Sequence, residues 1–200
     1  GTSLLLARAA FEAAARSGLP PAAVQMVYHF DDDAGLRLVA HPLTAATAFT
    51  GSRRAGLRLK EAADRAGKPV YLEMSSVNPV VILPGALEER PEAIARELFE
   101  SCTLGAGQFC TKPGLTILAQ GPGADAFVER ASALFREAEP GVLVGSGTLD
   151  AAARVVDALS GGGAGIIGRG KPPEGSGFLF APALLSVQGR VFLKAPRDFQ

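Results

Sequence analysis

The sequence predicts an α/β fold, because short apolar segments alternate along the chain with longer amphipathic ones. Apolar residues spaced three and four apart indicate helices at 3–17, 36–42, 53–66, 88–104, 124–138 and 149–159. Short apolar or β-branched segments indicate strands at 24–29, 46–50, 68–74, 79–84, 114–120, 164–168 and 177–187. Strands that alternate with helices are typical of a largely parallel sheet.

The helix and strand limits follow from residues that end regular structure. The first helix is expected to be capped by Thr2 or Ser3 and to stop at Gly18. "DDDAG" predicts a turn after the strand at 24–29, and "GGGAG" predicts a turn before the last two strands. The 24 glycines and 14 prolines of the chain agree with short elements joined by tight turns.

Composition narrows the class of protein. The 200 residues include 20 basic and 20 acidic ones, and no basic cluster predicts contact with nucleic acid. The longest apolar stretches, such as "PVVILPGAL", are too short to span a membrane, and no secretory leader is recognised. Two cysteines do not suggest a disulfide framework, so we expect a cytoplasmic protein.

The segment "FTGSRRAG" predicts a turn from a buried strand into a helix. Free N–H groups and the positive end of the helix dipole would face a ligand above the strand, and a phosphate or pyrophosphate suits them. Gly51 permits close approach of the backbone, Ser52 offers a hydroxyl, and Gly56 permits close helix–strand packing. An ordinary strand-to-helix turn explains the same residues.

"PVYLEMSSVNP" ends an apolar strand in Glu73. Ligands bind at the ends of strands in open α/β sheets, where a glutamate can act as a general base. A solvated glutamate at a strand end is the plainer alternative.

The segment "TLGAGQFCTKPGL" places Cys110 in a predicted loop of small residues between a helix and a strand. Room for a substrate and nearby backbone N–H groups would favour a nucleophilic thiolate there. The alternative is a small buried apolar side chain, which is what a free cysteine usually is. We assign that structural role to Cys102, because it lies at helical spacing from Ile94 and Leu98.

Taken in this order, "FTGS", "EMSS" and "GQFCT" resemble the cofactor turn, the glutamate motif and the cysteine motif of the aldehyde dehydrogenase superfamily. The similarity runs over nearly the whole chain. The serines after Glu73, "NP" at 78 and 79 and the phenylalanine before Cys110 resemble one branch of it. That branch contains the ketoglutaric semialdehyde (2,5-dioxopentanoate) dehydrogenases and the NADP-dependent fatty aldehyde dehydrogenases.

The resemblance implies oxidation of an aldehyde to a carboxylic acid with NADP or NAD. Cys110 would attack the aldehyde carbon, and its backbone N–H would help to hold the oxyanion. Glu73 would activate the water that hydrolyses the thioester, while Gly51, Ser52 and Gly56 would lie near the cofactor pyrophosphate. The expected partners are a small-molecule aldehyde and further copies of the chain, without nucleic acid, membrane or metal.

The resemblance also implies that the chain is an internal fragment. Residues 1–74 would be the second half of a Rossmann-like cofactor domain, and residues 75–200 most of a catalytic domain. The family's oxyanion asparagine would lie upstream, and a ribose-binding glutamate just after Gln200, so we expect feeble activity at best from the fragment alone. Lys112 stands where the branch usually has asparagine, and this change would either alter the loop or leave the lysine simply exposed.

Two other functions stay open from the sequence. An acylating aldehyde dehydrogenase would pass the thioester to coenzyme A, but Glu73 argues against this because no hydrolytic base is needed there. A nucleotide-binding or structural fragment without turnover is the second alternative.

Overall fold

A computed structural model describes residues 1–199. The chain divides into two compact units, and the division falls after Ser75. Among the described residues, no helix combines the length and the apolar character that a membrane crossing requires.

The first unit is built on one parallel strand pair. Its helices are α1 (Thr2–Arg16), α2 (Asp32–Ala40) and α3 (Arg53–Arg65), and its strands are β1 (Thr47–Gly51) and β2 (Val70–Met74). The two strands run parallel from the pair Thr47 and Val70 to the pair Gly51 and Met74. Helices α2 and α3 pack together around a small core of Val39, Ala62 and Ala63.

The second unit contains the larger core. Its helices are α4 (Pro84–Glu89), α5 (Pro91–Thr103), α6 (Pro122–Glu137), α7 (Ser146–Gly161) and α8 (Gly189–Phe192). Its strands are β3 (Pro79–Ile82), β4 (Leu115–Leu118), β5 (Gly141–Val142), β6 (Gly165–Arg169), β7 (Leu179–Phe180) and β8 (Ala183–Ser186). Side chains of β3, α4, α5 and α6 form one buried cluster that includes Ile82, Leu87, Leu98 and Phe127.

Strand pairing differs from the largely parallel sheet that the sequence predicts. β3 pairs with β4 in parallel, but β5 pairs with β7 and β6 with β8 in antiparallel orientation. β5 is two residues long, too short for the sequence pattern to indicate it. Helix α7 and strand β6 lie between β5 and β7 in the chain, so the alternation of helices and strands suggests a parallel crossover where the pairing is antiparallel.

Four local predictions were wrong. The segment "DDDAG" does not turn the chain between elements but begins α2, because the Asp31 side chain caps this helix by accepting a hydrogen bond from the N–H of Ala34. Residues 24–29 form no strand, and within the described residues they belong to none of the strand pairs. The helix predicted at 88–104 is two helices, because Pro91 lacks an N–H and Arg90 takes a non-helical conformation at φ −148°. Helix α1 has Gly1 at its N-cap position, and neither Thr2 nor Ser3 supplies a side-chain cap.

Close packing of β6 against α6 predicts a stability difference between two glycine substitutions. A Cβ on Gly168 would lie 2.8 Å from the Cβ of Phe135 and 3.0 Å from the carbonyl oxygen of Ser132. We expect Gly168→Ala to lower the free energy of unfolding by about 1–3 kcal/mol, because the backbone of α6 cannot move aside for the added methyl group. Urea unfolding of the complete protein measures the change.

Gly165→Ala is the matched control in the same strand, because nothing lies within 4 Å of a Cβ at Gly165. We expect this variant to be as stable as the wild type or slightly more stable. An equal loss of stability in both variants would contradict the packing of β6 on α6.

Candidate active site

Three of the predicted site residues lie at one edge of the β1–β2 pair. Glu73 lies opposite Thr50, and Gly51 lies opposite Met74, in the last two register positions of the strands. Ser52 follows directly as the N-cap of α3. Because the strands are parallel, their carboxyl ends meet, so the glycine–serine turn and an exposed glutamate share one edge.

The turn into α3 leaves backbone donors available. The side chain of Ser52 accepts a hydrogen bond from the N–H of Ala55 at 3.2 Å, and its carbonyl accepts one from Gly56 at 2.9 Å. The N–H groups of Arg53 and Arg54 lie before these bonds, at the positive end of the helix dipole. The turn therefore presents donors of the kind that bind an anion.

Close packing surrounds the two glycines of this motif. A Cβ on Gly56 would lie 2.7 Å from the sulfur of Met74, so the small residue lets α3 approach β2 closely. A Cβ on Gly51 would lie 2.6 Å from the ring of Phe49, which folds back over the end of its own strand. Gly56 thus has a packing role, in agreement with the interpretation of the sequence.

Cys110 lies in the loop between α5 and β4, and its side chain is exposed. Three consecutive residues bend the chain before it, since Gly105, Ala106 and Gly107 have φ values of 57°, 58° and 71°. Glycine takes this left-handed conformation without a Cβ penalty. Ala106 does carry a Cβ, and a Cβ on Gly141 would lie 2.5 Å from it, so the glycine leaves room for Ala106.

The segment before β3 holds the carbonyl groups of this loop. The side-chain amide of Asn78 donates to the carbonyl oxygen of Cys110 at 2.7 Å and to that of Lys112 at 3.0 Å. The Ser76 hydroxyl lies 3.0 Å from the Cys110 carbonyl oxygen and 3.0 Å from the amide oxygen of Asn78. We call Ser76 and Asn78 the carbonyl clamp.

Gln108 fastens the other side of the loop. Its amide nitrogen donates to the carbonyl oxygens of Gly105 at 3.0 Å and Val142 at 3.1 Å. Its amide oxygen accepts a hydrogen bond from the N–H of Val144 at 2.8 Å. Two residues before Cys110, the chain is therefore tied to β5 and the residues that follow it.

The backbone N–H groups of Cys110 and Thr111 are left free. Within residues 1–199, neither N–H donates to a backbone or side-chain acceptor, whereas that of Lys112 donates to the Phe109 carbonyl at 3.1 Å. The carbonyl of Cys110 is thus satisfied while its own N–H stays available. Free N–H groups beside an exposed thiol are suited to hold negative charge on a reacting oxygen.

Cys102 has the structural setting that its spacing indicates. It packs against the core cluster of the second unit, and its thiol lies 3.5 Å from the carbonyl oxygen of Pro113. Burial raises the pKa of the Cys102 thiol, and the nearby charge of Lys112 partly offsets this. Lys112 itself is half-buried and donates to the Pro113 carbonyl at 3.3 Å, so it belongs to the loop's packing.

The predicted site residues are divided between the two units. Gly51, Ser52 and Glu73 meet at one strand edge, and Cys110 lies in a loop of the second unit. Reasoning from the sequence did not assign a role to Ser76, Asn78 or Gln108. The serines after Glu73 and "NP" at 78 and 79 stood out in the sequence only as a resemblance to one branch of the family, without a structural role.

Comparison with known proteins identifies the family. The model of the aldehyde dehydrogenase family matches residues 1–189. The chain belongs to this family.

Curated relatives are similar over most of the chain. It is 42% identical over 153 residues to alpha-ketoglutaric semialdehyde dehydrogenase 2 of Azospirillum brasilense, covering 76% of this chain and 29% of that protein. It is 40% identical over 160 residues to alpha-ketoglutaric semialdehyde dehydrogenase of Acinetobacter baylyi, covering 79% of this chain and 30% of that protein. The chain thus spans about three tenths of the length of these relatives.

Solved structures agree on the fold. The NAD-dependent aldehyde dehydrogenase from Sinorhizobium meliloti matches 100% of this chain with 40% of its own, at a TM-score of 0.77 and 26% identity. An aldehyde dehydrogenase from Burkholderia cenocepacia matches 94% of this chain with 41% of its own, at a TM-score of 0.74 and 26% identity. The predicted α/β fold of the aldehyde dehydrogenase type is confirmed.

The contrast between the two cysteines predicts selective alkylation. We expect iodoacetamide to modify Cys110 at least about ten times faster than Cys102 at pH 7.5, because only a thiolate reacts and burial raises the pKa of Cys102. Because its pKa is raised, the labelling rate of Cys102 should increase only at higher pH, where its thiol ionises. Fragment-ion mass spectrometry after brief labelling of the folded protein assigns each site, and equal or reversed rates would contradict the assignment.

Proposed function

We propose that the complete protein oxidises an aldehyde to a carboxylic acid with NAD or NADP, through a covalent intermediate on Cys110. The observation that carries the proposal is an exposed cysteine in a fastened loop with free backbone N–H groups, in a chain of the aldehyde dehydrogenase family. The division into a cofactor part at 1–74 and a catalytic part at 75–200 belongs to the same proposal.

Cys110 begins the proposed reaction by attacking the aldehyde carbon as a thiolate. The carbonyl oxygen gains negative charge as the carbon–sulfur bond forms, and the N–H of Cys110 is free to donate to it. The product is a thiohemiacetal, whose collapse by loss of hydride gives a thioester. Its exposed position allows Cys110 to meet a substrate, which the half-buried Cys102 cannot do.

Glu73 completes the reaction as the base for hydrolysis. It takes a proton from a water molecule, which then attacks the thioester and releases the carboxylic acid and the Cys110 thiolate. The support is an exposed carboxylate at the carboxyl end of β2, free of any ion pair within the described residues. A carboxylate without a fixed partner is available to accept a proton.

The first unit fits a dinucleotide at the turn before α3. The N–H groups of Arg53 and Arg54 offer donors to a pyrophosphate, and Gly51 and Ser52 form the turn beneath them. Gly56 keeps α3 close to β2. The bound nicotinamide would accept the hydride, and the name of the Sinorhizobium meliloti neighbour favours NAD as one such cofactor.

The aldehyde that we propose is 2,5-dioxopentanoate, the ketoglutaric semialdehyde. The names of two relatives, at 42% and 40% identity, favour this substrate. We further propose that the protein acts in the cytoplasm as a homo-oligomer. These parts of the proposal rest on the family and on composition.

The roles of Cys110 and Glu73 predict two different kinetic defects in the complete protein. Glu73→Gln keeps the shape of the side chain but removes the proton acceptor. We expect about one equivalent of reduced cofactor in a rapid burst and then a stall, because the thioester is not hydrolysed. Cys110→Ser should show almost no burst, since a serine hydroxyl without an adjacent base is a poor nucleophile.

Stopped-flow absorbance of the reduced nicotinamide, with saturating 2,5-dioxopentanoate, measures both variants. Glu129→Gln is a control, because this exposed glutamate of α6 has no assigned role and should behave as the wild type. Steady turnover at the wild-type rate in Glu73→Gln would remove Glu73 from the mechanism.

A further inference from the structure

Asn78 is the only side chain among the described residues that donates hydrogen bonds to two carbonyl groups of the loop between α5 and β4, which carries Cys110. Its nitrogen faces the carbonyl oxygens of Cys110 and Lys112, and its oxygen faces the Ser76 hydroxyl. The opposite orientation would place an amide oxygen against two carbonyl oxygens, with no hydrogen between them. The neighbours therefore fix which way the amide points.

A second property of Asn78 offers a competing reason for its presence. Its φ is +49°, and it stands directly before Pro79. A left-handed conformation disfavours most side chains, while glycine, asparagine and aspartate tolerate it. Asparagine could thus be needed for its backbone alone, or for its two N–H donors.

The pattern of bonds separates these two reasons. A left-handed backbone alone does not require the side-chain amide to donate to two carbonyl oxygens of one loop. The Asn78 amide nitrogen nevertheless lies 2.7 Å from the Cys110 carbonyl oxygen and 3.0 Å from that of Lys112. The Cys110 carbonyl oxygen also lies 3.0 Å from the Ser76 hydroxyl, whose single hydrogen can serve either this oxygen or the amide oxygen of Asn78. Because a peptide unit is planar and trans, fixing this carbonyl also fixes the N–H of Thr111 on the opposite side.

We propose that Asn78 is a positioning residue of the nucleophile, whose amide orients the Cys110–Thr111 peptide unit and keeps both loop carbonyls away from the sulfur. Carbonyl oxygens carry partial negative charge and would disfavour a thiolate if they turned toward it. Ser76 has a smaller part in the clamp, because its hydroxyl donates one hydrogen where the Asn78 amide donates two. The inference rests on the proposed role of Cys110 as the nucleophile.

Three substitutions at Asn78 test the proposal in the complete protein. Asn78→Gly keeps the left-handed backbone and removes both donors, Asn78→Asp keeps the shape and replaces the donors with a carboxylate, and Asn78→Ala loses both properties. We expect kcat to fall about tenfold in Asn78→Gly and Asn78→Asp, less than the roughly 100-fold cost of a 1 Å misplacement. KM for the cofactor should stay within about twofold, because the first unit is untouched.

Iodoacetamide alkylation of Cys110 at pH 7.5 gives a second readout that needs no turnover. We expect the rate constant to fall in the glycine and aspartate variants, because the freed carbonyls disfavour the thiolate. If the protein has no dehydrogenase activity, the proposed function is wrong. The alkylation rates of Cys110 in the Asn78 variants still test whether Asn78 positions Cys110. Ser76→Ala removes one exposed hydroxyl and should lower the alkylation rate constant of Cys110 by a smaller amount. This variant tests the clamp if the Asn78 variants do not fold.

Wild-type kcat and wild-type alkylation in Asn78→Gly, with losses confined to Asn78→Ala, would overturn the proposal. That result would show that the position requires only a left-handed backbone. Thermal unfolding of each variant checks that the comparison is made on folded protein.

Discussion

Parallel pairing of β3 with β4 determines where the loop that carries Cys110 lies. The register joins Pro79 to Leu115, so the segments that enter the two strands run side by side. The N–H of Gly114 donates to the Val77 carbonyl at 2.7 Å and extends this pairing beyond the strands. The carbonyl clamp follows from it, because the residues just before β3 lie beside the residues just before β4.

The loop that carries Cys110 has side-chain donors for the carbonyl groups of Cys110 and Lys112, while the N–H groups of Cys110 and Thr111 have no acceptor within the described residues. Side chains of Ser76, Asn78 and Gln108 take up the backbone bonds that a strand or helix would otherwise provide. A loop fastened in this way loses little order when a substrate arrives, and its free N–H groups keep their direction. The same network holds the thiol at the surface while Cys102, eight residues earlier, packs into the core.

Much of the fold could be predicted from local sequence, as could the places of the five predicted site residues in a turn, at a strand end, in a helix and in a loop, while their roles stay predictions. Helical spacing predicted α1, α3, α6 and α7 closely, because each buries one apolar face or is bounded by strong stop residues. The strand predicted at 24–29 was wrong, since a strand depends on a neighbour that local sequence does not specify. The clamp depends on the β3–β4 register and on the backbone of Asn78, and neither is encoded by spacing along the chain.

The central claim is that the reacting carbon becomes bound to the sulfur of Cys110. Acid quenching of the complete protein within its first turnover, followed by peptide mapping, measures this directly with 2,5-dioxopentanoate and oxidised cofactor present. The account predicts an acyl adduct on Cys110 that hydroxylamine removes, as it does other thioesters. An adduct on a different side chain, or reduced cofactor formed while Cys110 stays unmodified at every quench time, would contradict it.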